Sequence, residues 1–175
     1  MMTSEQIYRE GAYKGVAMGI YLSIASLFML AGNGTVLSLV ALAMLIGVPF
    51  FQHRLMLAAY KKHRCAAGFA GLWLLGIVVF IGASLICAAA TYAYLAYINP
   101  NFIDNLLLQT AELYRQSPEL QQTDFFRGLS IAIENGLTFS ASDFCIEMIL
   151  LTIFSGSILS ILLALLIKNQ RVKQY

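Results

Sequence analysis

The chain has 175 residues, of which 59% are hydrophobic and 11% charged, with a formal net charge of +2 and a mean hydropathy of +0.75. It is too apolar and too sparsely charged to cover a water-facing surface, which excludes an ordinary soluble domain. The small net charge carries less information than the distribution of charge along the chain, and nucleic acid is not an expected partner.

From Met1 to Gly11 the sequence carries Glu5, Arg9 and Glu10. The apolar stretch that follows is too long for a signal-peptide core and lacks a small-x-small cleavage site, so it reads as an uncleaved first span. A hydrocarbon layer of about 30 Å takes roughly 20 helical residues to cross. Four stretches meet this: Tyr13 to Ala31, Thr35 to Phe51, Phe69 to Ile98 and Phe144 to Ile167. Gly32-Asn33-Gly34 between the first two tolerates positive φ and predicts a tight helical hairpin. Pro49 is expected to kink the second span near its inner end, with a neighbour satisfying the freed carbonyl.

Gln52 to Gly68 mixes His53, Arg54, Lys61, Lys62, His63 and Arg64 with the apolar run Leu55 to Tyr60. It suits a helix at the headgroup level or an extension of the second span. The third stretch is longer than a bilayer requires, so it must tilt or project; projection is preferred, with Tyr92, Tyr94 and Tyr97 forming an interfacial belt. Asn99-Pro100 ends it, because the residue before proline is pushed out of the helical region. In the segment 99–142, Phe102, Leu106 and Leu113 recur at helical spacing among polar residues, with Ile103, Leu107 and Tyr114 alongside. Ser117-Pro118 then opens a second amphipathic helix through Leu129 and Ile133 to Asn135-Gly136. The prediction is an all-α, integral membrane four-helix bundle forming a single domain over 1–175, with a short extracytoplasmic helical hairpin.

Orientation follows from the basic residues. Arg9, Lys14, Arg54, Lys61, Lys62, Arg64, Lys168, Arg171 and Lys173 fall on one side of the four spans, leaving only Arg115 and Arg127, of eleven in all, on the other. Short loops rich in Lys and Arg stay in the cytoplasm, so both termini are expected there.

This layout, together with the segment Tyr97-Ile98-Asn99-Pro100-Asn101-Phe102 leaving the third span, resembles the DUF4199 family, small four-span inner-membrane proteins of Gram-negative bacteria. The resemblance implies a bacterial envelope location and supplies no catalytic residues. It also implies an association with lipid-linked glycosyltransferases, as an accessory subunit.

Gly11, Gly15 and Gly19 stand four apart, and a stripe without side chains lets another helix approach to backbone contact. That helix can be another span of the same chain or a second copy. Thr152, Gly156, Ser160 and Ala164 form a similar stripe on the fourth span, and the two stripes can face each other. Asp143 and Glu147, also four apart, share a helical face. Asp143 suits a helix N-terminus, where an anion meets free amides and complements the dipole. Glu147 lies a turn deeper, where an ionisable group is expensive, and is expected to point inward toward the first or third span. With Asp143 and Thr152 it makes a candidate ligand or ion site. Arg54, Lys61, Lys62 and Arg64 are candidate lipid-headgroup contacts, although orientation alone accounts for such a loop.

Three cysteines, Cys65, Cys87 and Cys145, make no disulfide framework, and histidines ten apart give no metal motif. No nucleotide, hydrolase or redox motif occurs, so no catalytic residue and no cofactor is assigned. These observations favour a non-enzymatic membrane subunit or scaffold, its partners being membrane lipids and either envelope proteins or further copies of itself. The alternatives are a small carrier or lipid-binding protein using an intramembrane carboxylate and a membrane enzyme acting on lipid-linked substrates. The charge asymmetry is directly testable: Cys65 should react with an impermeant thiol reagent only from the cytoplasmic side, and Gln116→Cys only from outside. Labelling Gln116→Cys from the cytoplasm would overturn the orientation.

Overall fold

A computed structural model of the chain describes residues 3–32, 36–62, 68–116 and 140–172. These form five α-helices, α1 (Ser4–Ala31), α2 (Val36–Lys62), α3 (Phe69–Ala93), α4 (Phe102–Gln116) and α5 (Ala141–Val172), with a π-helical turn at Tyr94–Ile98 and no strand among the described residues. Four helices are long and apolar enough to cross a membrane, as the sequence predicts. The chain resolves into two compact units, one of Met1–Thr91 with Ile146–Tyr175 and one of Tyr92–Cys145.

In the first unit, α1 starts well before Tyr13. Thr3 caps it: the Gln6 amide donates to the Thr3 hydroxyl, and the Thr3 amide donates to the Gln6 side chain. Two of the four orphan donors of the helix end are thereby satisfied, which lets the charged segment Glu5–Glu10 enter the helix. α2 likewise runs past Phe51 to Lys62, so the loop between the second and third spans begins as a helical extension. Pro49 lies inside α2 and leaves the Leu45 carbonyl without its usual helical partner. The Tyr21 hydroxyl donates to the adjacent carbonyl of Met44 at 2.7 Å while its ring stacks on Phe51, centroids 4.9 Å apart. Gly47 makes room for this, since a Cβ there would lie 2.6 Å from the Tyr21 oxygen.

Half of the apolar window of α3 is buried, against 33% for α1, 22% for α5 and 11% for α2, which makes α3 the central helix. α1 lies against it along the glycine stripe. A Cβ on Gly15 would stand 3.1 Å from the Val79 carbonyl oxygen and 3.3 Å from the Gly82 Cα; a Cβ on Gly11 would strike Val78, and one on Gly19 would strike Ile86. α5 meets a different side of α3, where the Phe80 ring fills the notch at Gly156 and Ser160 fills the notch at Gly76. The two small-residue stripes therefore do not face each other; each faces α3. The C-terminal half of α2 completes the unit, with Met56 and Tyr60 packed among Leu72 of α3 and Leu163, Ala164 and Ile167 of α5. Ile7, Ala59 and Leu75 join α1, α2 and α3 near the same end. With lipid as apolar as the side chains, these contacts stabilise mainly through close packing rather than through the hydrophobic effect.

In the second unit, the Asn99 amide closes the π-helical turn on the Tyr94 carbonyl at 3.0 Å, and Asn99 leaves the helix at φ −137°, the extended φ that Pro100 imposes on its predecessor. α4 follows with Ile103 buried. Leu106, which the helical spacing groups with Phe102, is 42% exposed, whereas Leu107 beside it is half-buried one turn from Ile103. The second amphipathic helix expected from Ser117 to Asn135 falls outside the described residues.

Gly15→Leu should force α1 off α3 and lower stability in detergent by about 1–3 kcal/mol. Ala17, an exposed neighbour, should tolerate leucine within about 0.5 kcal/mol. Equal melting of the two variants would contradict the packing described here.

Candidate functional site

Of the carboxylates proposed as a site, Asp143 is taken up by the end of its own helix. Ser140 caps α5: its hydroxyl donates to Asp143 Oδ2 at 2.6 Å and accepts from the Asp143 amide at 3.2 Å, while its own amide donates to Oδ2 at 3.1 Å. Asp143 is thus held as the reciprocal partner of an N-cap, which satisfies helix-end donors and places negative charge at the positive end of the dipole.

Glu147 does not point inward. It is exposed and continues the outward face formed by Leu150, Leu151 and Phe154, which are 63%, 70% and 69% exposed. The reason is geometric: the inward face of α5 is set by Gly156, Ser160 and Ala164, and Glu147 lies on the opposite side of the 100°-per-residue wheel from Gly156, nine residues later (900°, or 180°). The Thr152 hydroxyl bonds within its own helix to the Met148 carbonyl at 2.7 Å, so it does not join Glu147 in a polar cavity.

The polar groups inside the bundle lie elsewhere. Ser26 of α1 is 3.3 Å from the hydroxyl of the fully buried Thr91 and 3.5 Å from Cys87 Sγ, and Thr91 reaches Met148 Sδ of α5 at 4.0 Å. This node links three helices. Ser23 and Ser160, both buried, return their protons to the carbonyls of Gly19 and Gly156 at 2.7 Å in each case. Such hydroxyls satisfy themselves along the helix and leave little for a ligand.

Gln52 differs from all of these. Its side chain is fully buried, and neither Oε1 nor Nε2 has a hydrogen-bond partner. Nε2 would lie 3.5 Å from a Cβ on Gly76, so the carboxamide abuts the point at which α3 receives Ser160 of α5. Leaving an amide unpaired among apolar side chains is costly, and packing does not explain its placement; the Trp73 indole nitrogen is also buried without a partner. A glutamine just beyond a proline and an aromatic pair carries no motif, so only the burial of the extended α2 singles it out.

At the basic end, Lys62 of α2 forms an ion pair with Glu10 of α1. Arg54 and Lys61 are exposed, and Arg64 lies outside the described residues. Among the described residues no three metal-binding side chains of the His, Cys, Asp or Glu type come together.

The fold and these groups define a multi-pass helical membrane protein without a convergent set of reactive side chains among its described residues. The chain belongs to the DUF4199 family, described as proteins of unknown function, whose model matches residues 13–169. No curated protein and no solved structure matches the chain.

Gln52→Leu removes the unpaired amide at nearly constant volume and should leave melting in detergent unchanged or raised. A loss beyond about 1 kcal/mol would show that the amide holds a structural bond.

Proposed function

We propose that the chain is a non-enzymatic subunit or scaffold of the bacterial inner (cytoplasmic) membrane, both termini on the cytoplasmic side, which packs against partner proteins of the envelope. The observation that carries this reading is the outward placement of Glu147. A carboxylate on an apolar helix face is expensive in lipid and is relieved by a donor or cation from outside its own bundle. The glycine stripe of α1 is occupied by α3, which leaves the outward face of α5 as the contact surface. Asp143 is engaged by Ser140 and Thr152 by Met148. A carrier built on an intramembrane carboxylate would need these groups to converge on a cavity.

The test is photo-crosslinking in native membranes at chromosomal expression. A photoreactive residue at Leu151, beside Glu147, should capture one defined polypeptide in stoichiometric yield, and Glu147→Lys should reduce that yield several-fold while leaving the protein inserted. A probe at buried Met18 should capture nothing. Capture of lipid alone at Leu151, or a solute flux abolished by Glu147→Gln, would overturn the scaffold reading.

A further inference from the structure

Where α1 and α2 meet at their charged ends there is an open groove of about 520 Å³. Its size falls within the roughly 300–1,000 Å³ typical of small-ligand sites. Arg9, Glu10, Ala12, Tyr13, Val16 and Lys62 line it. The lining is graded along α1. Arg9 and Glu10 stand at one end beside Lys62; Ala12 and Tyr13 follow a turn later; Val16 comes another turn on, about 10 Å along the axis from Arg9 at 1.5 Å per residue. The same face continues past the groove through Ile20 and Ile24, which are 53% and 41% exposed.

The charges in the groove do not cancel. Lys62 is engaged by Glu10, whose carboxylate is largely covered, whereas Arg9 is exposed and forms no ion pair among the described residues. A guanidinium fork with an ammonium nearby matches phosphate oxygens, and an exposed tyrosine at the next level suits the depth of the glycerol ester region. The exposed aliphatic stripe below then offers a track for a hydrocarbon chain. A free phosphate would use only the charged end, so the full length of the groove selects an amphiphile.

We propose that this groove binds an anionic glycerophospholipid, its phosphate on Arg9 and Lys62 and one acyl chain along Val16 and Ile20. The site stands independently of the scaffold reading; the orientation of the chain decides only which leaflet supplies the lipid.

The test is native mass spectrometry of the purified full-length protein in detergent, titrated with dioleoyl phosphatidylglycerol or dioleoyl phosphatidylcholine. Phosphatidylglycerol should bind at least tenfold more tightly. Arg9→Gln should weaken it about fivefold, the effect of one basic side chain at an anionic surface, with unchanged melting. Tyr13→Ala, an independent probe of the same groove, should also weaken it. Arg54→Gln, a cation on α2 outside the groove, should not. Equal binding of the two lipids, an Arg54→Gln effect as large as that of Arg9→Gln, or displacement of the lipid by glycerol 3-phosphate alone would overturn the proposal.

Discussion

The backbone contact between α1 and α3 at Gly15 and Gly82 is the constraint on which the membrane unit depends. Two helices can approach this closely only where both lack a side chain, and a Cβ on Gly82 would stand 3.4 Å from the Gly15 Cα. Lipid offers no hydrophobic reward for burying one apolar helix on another, so attraction must come from many short contacts. The close approach brings Met18 and Leu22 of α1 against Val79, Ala83 and Cys87 of α3. It also brings Ser26 within reach of Thr91. α5 uses the same device on another side of α3, with side chains set into notches at Gly76 and Gly156 instead of backbone against backbone.

Much of the fold could be read from the residues, and the reasons are physical. Apolar length alone identified four spans, because a bilayer imposes a minimum helix length. Pro49 called for a donor on the Leu45 carbonyl, but Tyr21 donates to the neighbouring carbonyl of Met44 instead. The stripe Gly11-Gly15-Gly19 was visible because residues four apart stack on one face. Its receiving surface was not. Gly76 and Gly82 are six apart, 600° around the helix, so they face different neighbours and form no stripe in the sequence. The continuation of α2 past Phe51 was one of two readings of the basic segment, whereas the true start of α1 was missed, although Thr3 and Gln6 form a capping pair that could have placed it.

The candidate site was legible only in part. Asp143 has the helix-end role its position suggests, with Ser140 as the partner that was overlooked. Glu147 was expected to turn inward because membrane carboxylates usually do. That tendency concerns an average residue, whereas the rotation of α5 is set by Gly156, Ser160 and Ala164, which carry Glu147 to the outside. Gln52 was passed over because an uncharged side chain near a basic loop looks like surface. Only the continuation of α2 into the packed end of the bundle buries it.

Together these placements describe a bundle whose small residues and hydroxyls close its helices on one another. Its outward features, Glu147 on α5 and the Arg9 groove on α1, are left for partners or lipid. The α1 stripe is filled by α3 of the same chain. In a cysteine-free background, cysteines at Gly11 and Val78 test it directly, since their Cβ atoms would lie 2.8 Å apart and need move only slightly to reach the ~3.8 Å of a disulfide. Oxidation in membranes should give a cross-linked monomer from the double variant and no dimer when the two single variants are co-expressed. A disulfide-linked dimer formed between Gly11→Cys and Val78→Cys chains would contradict the account.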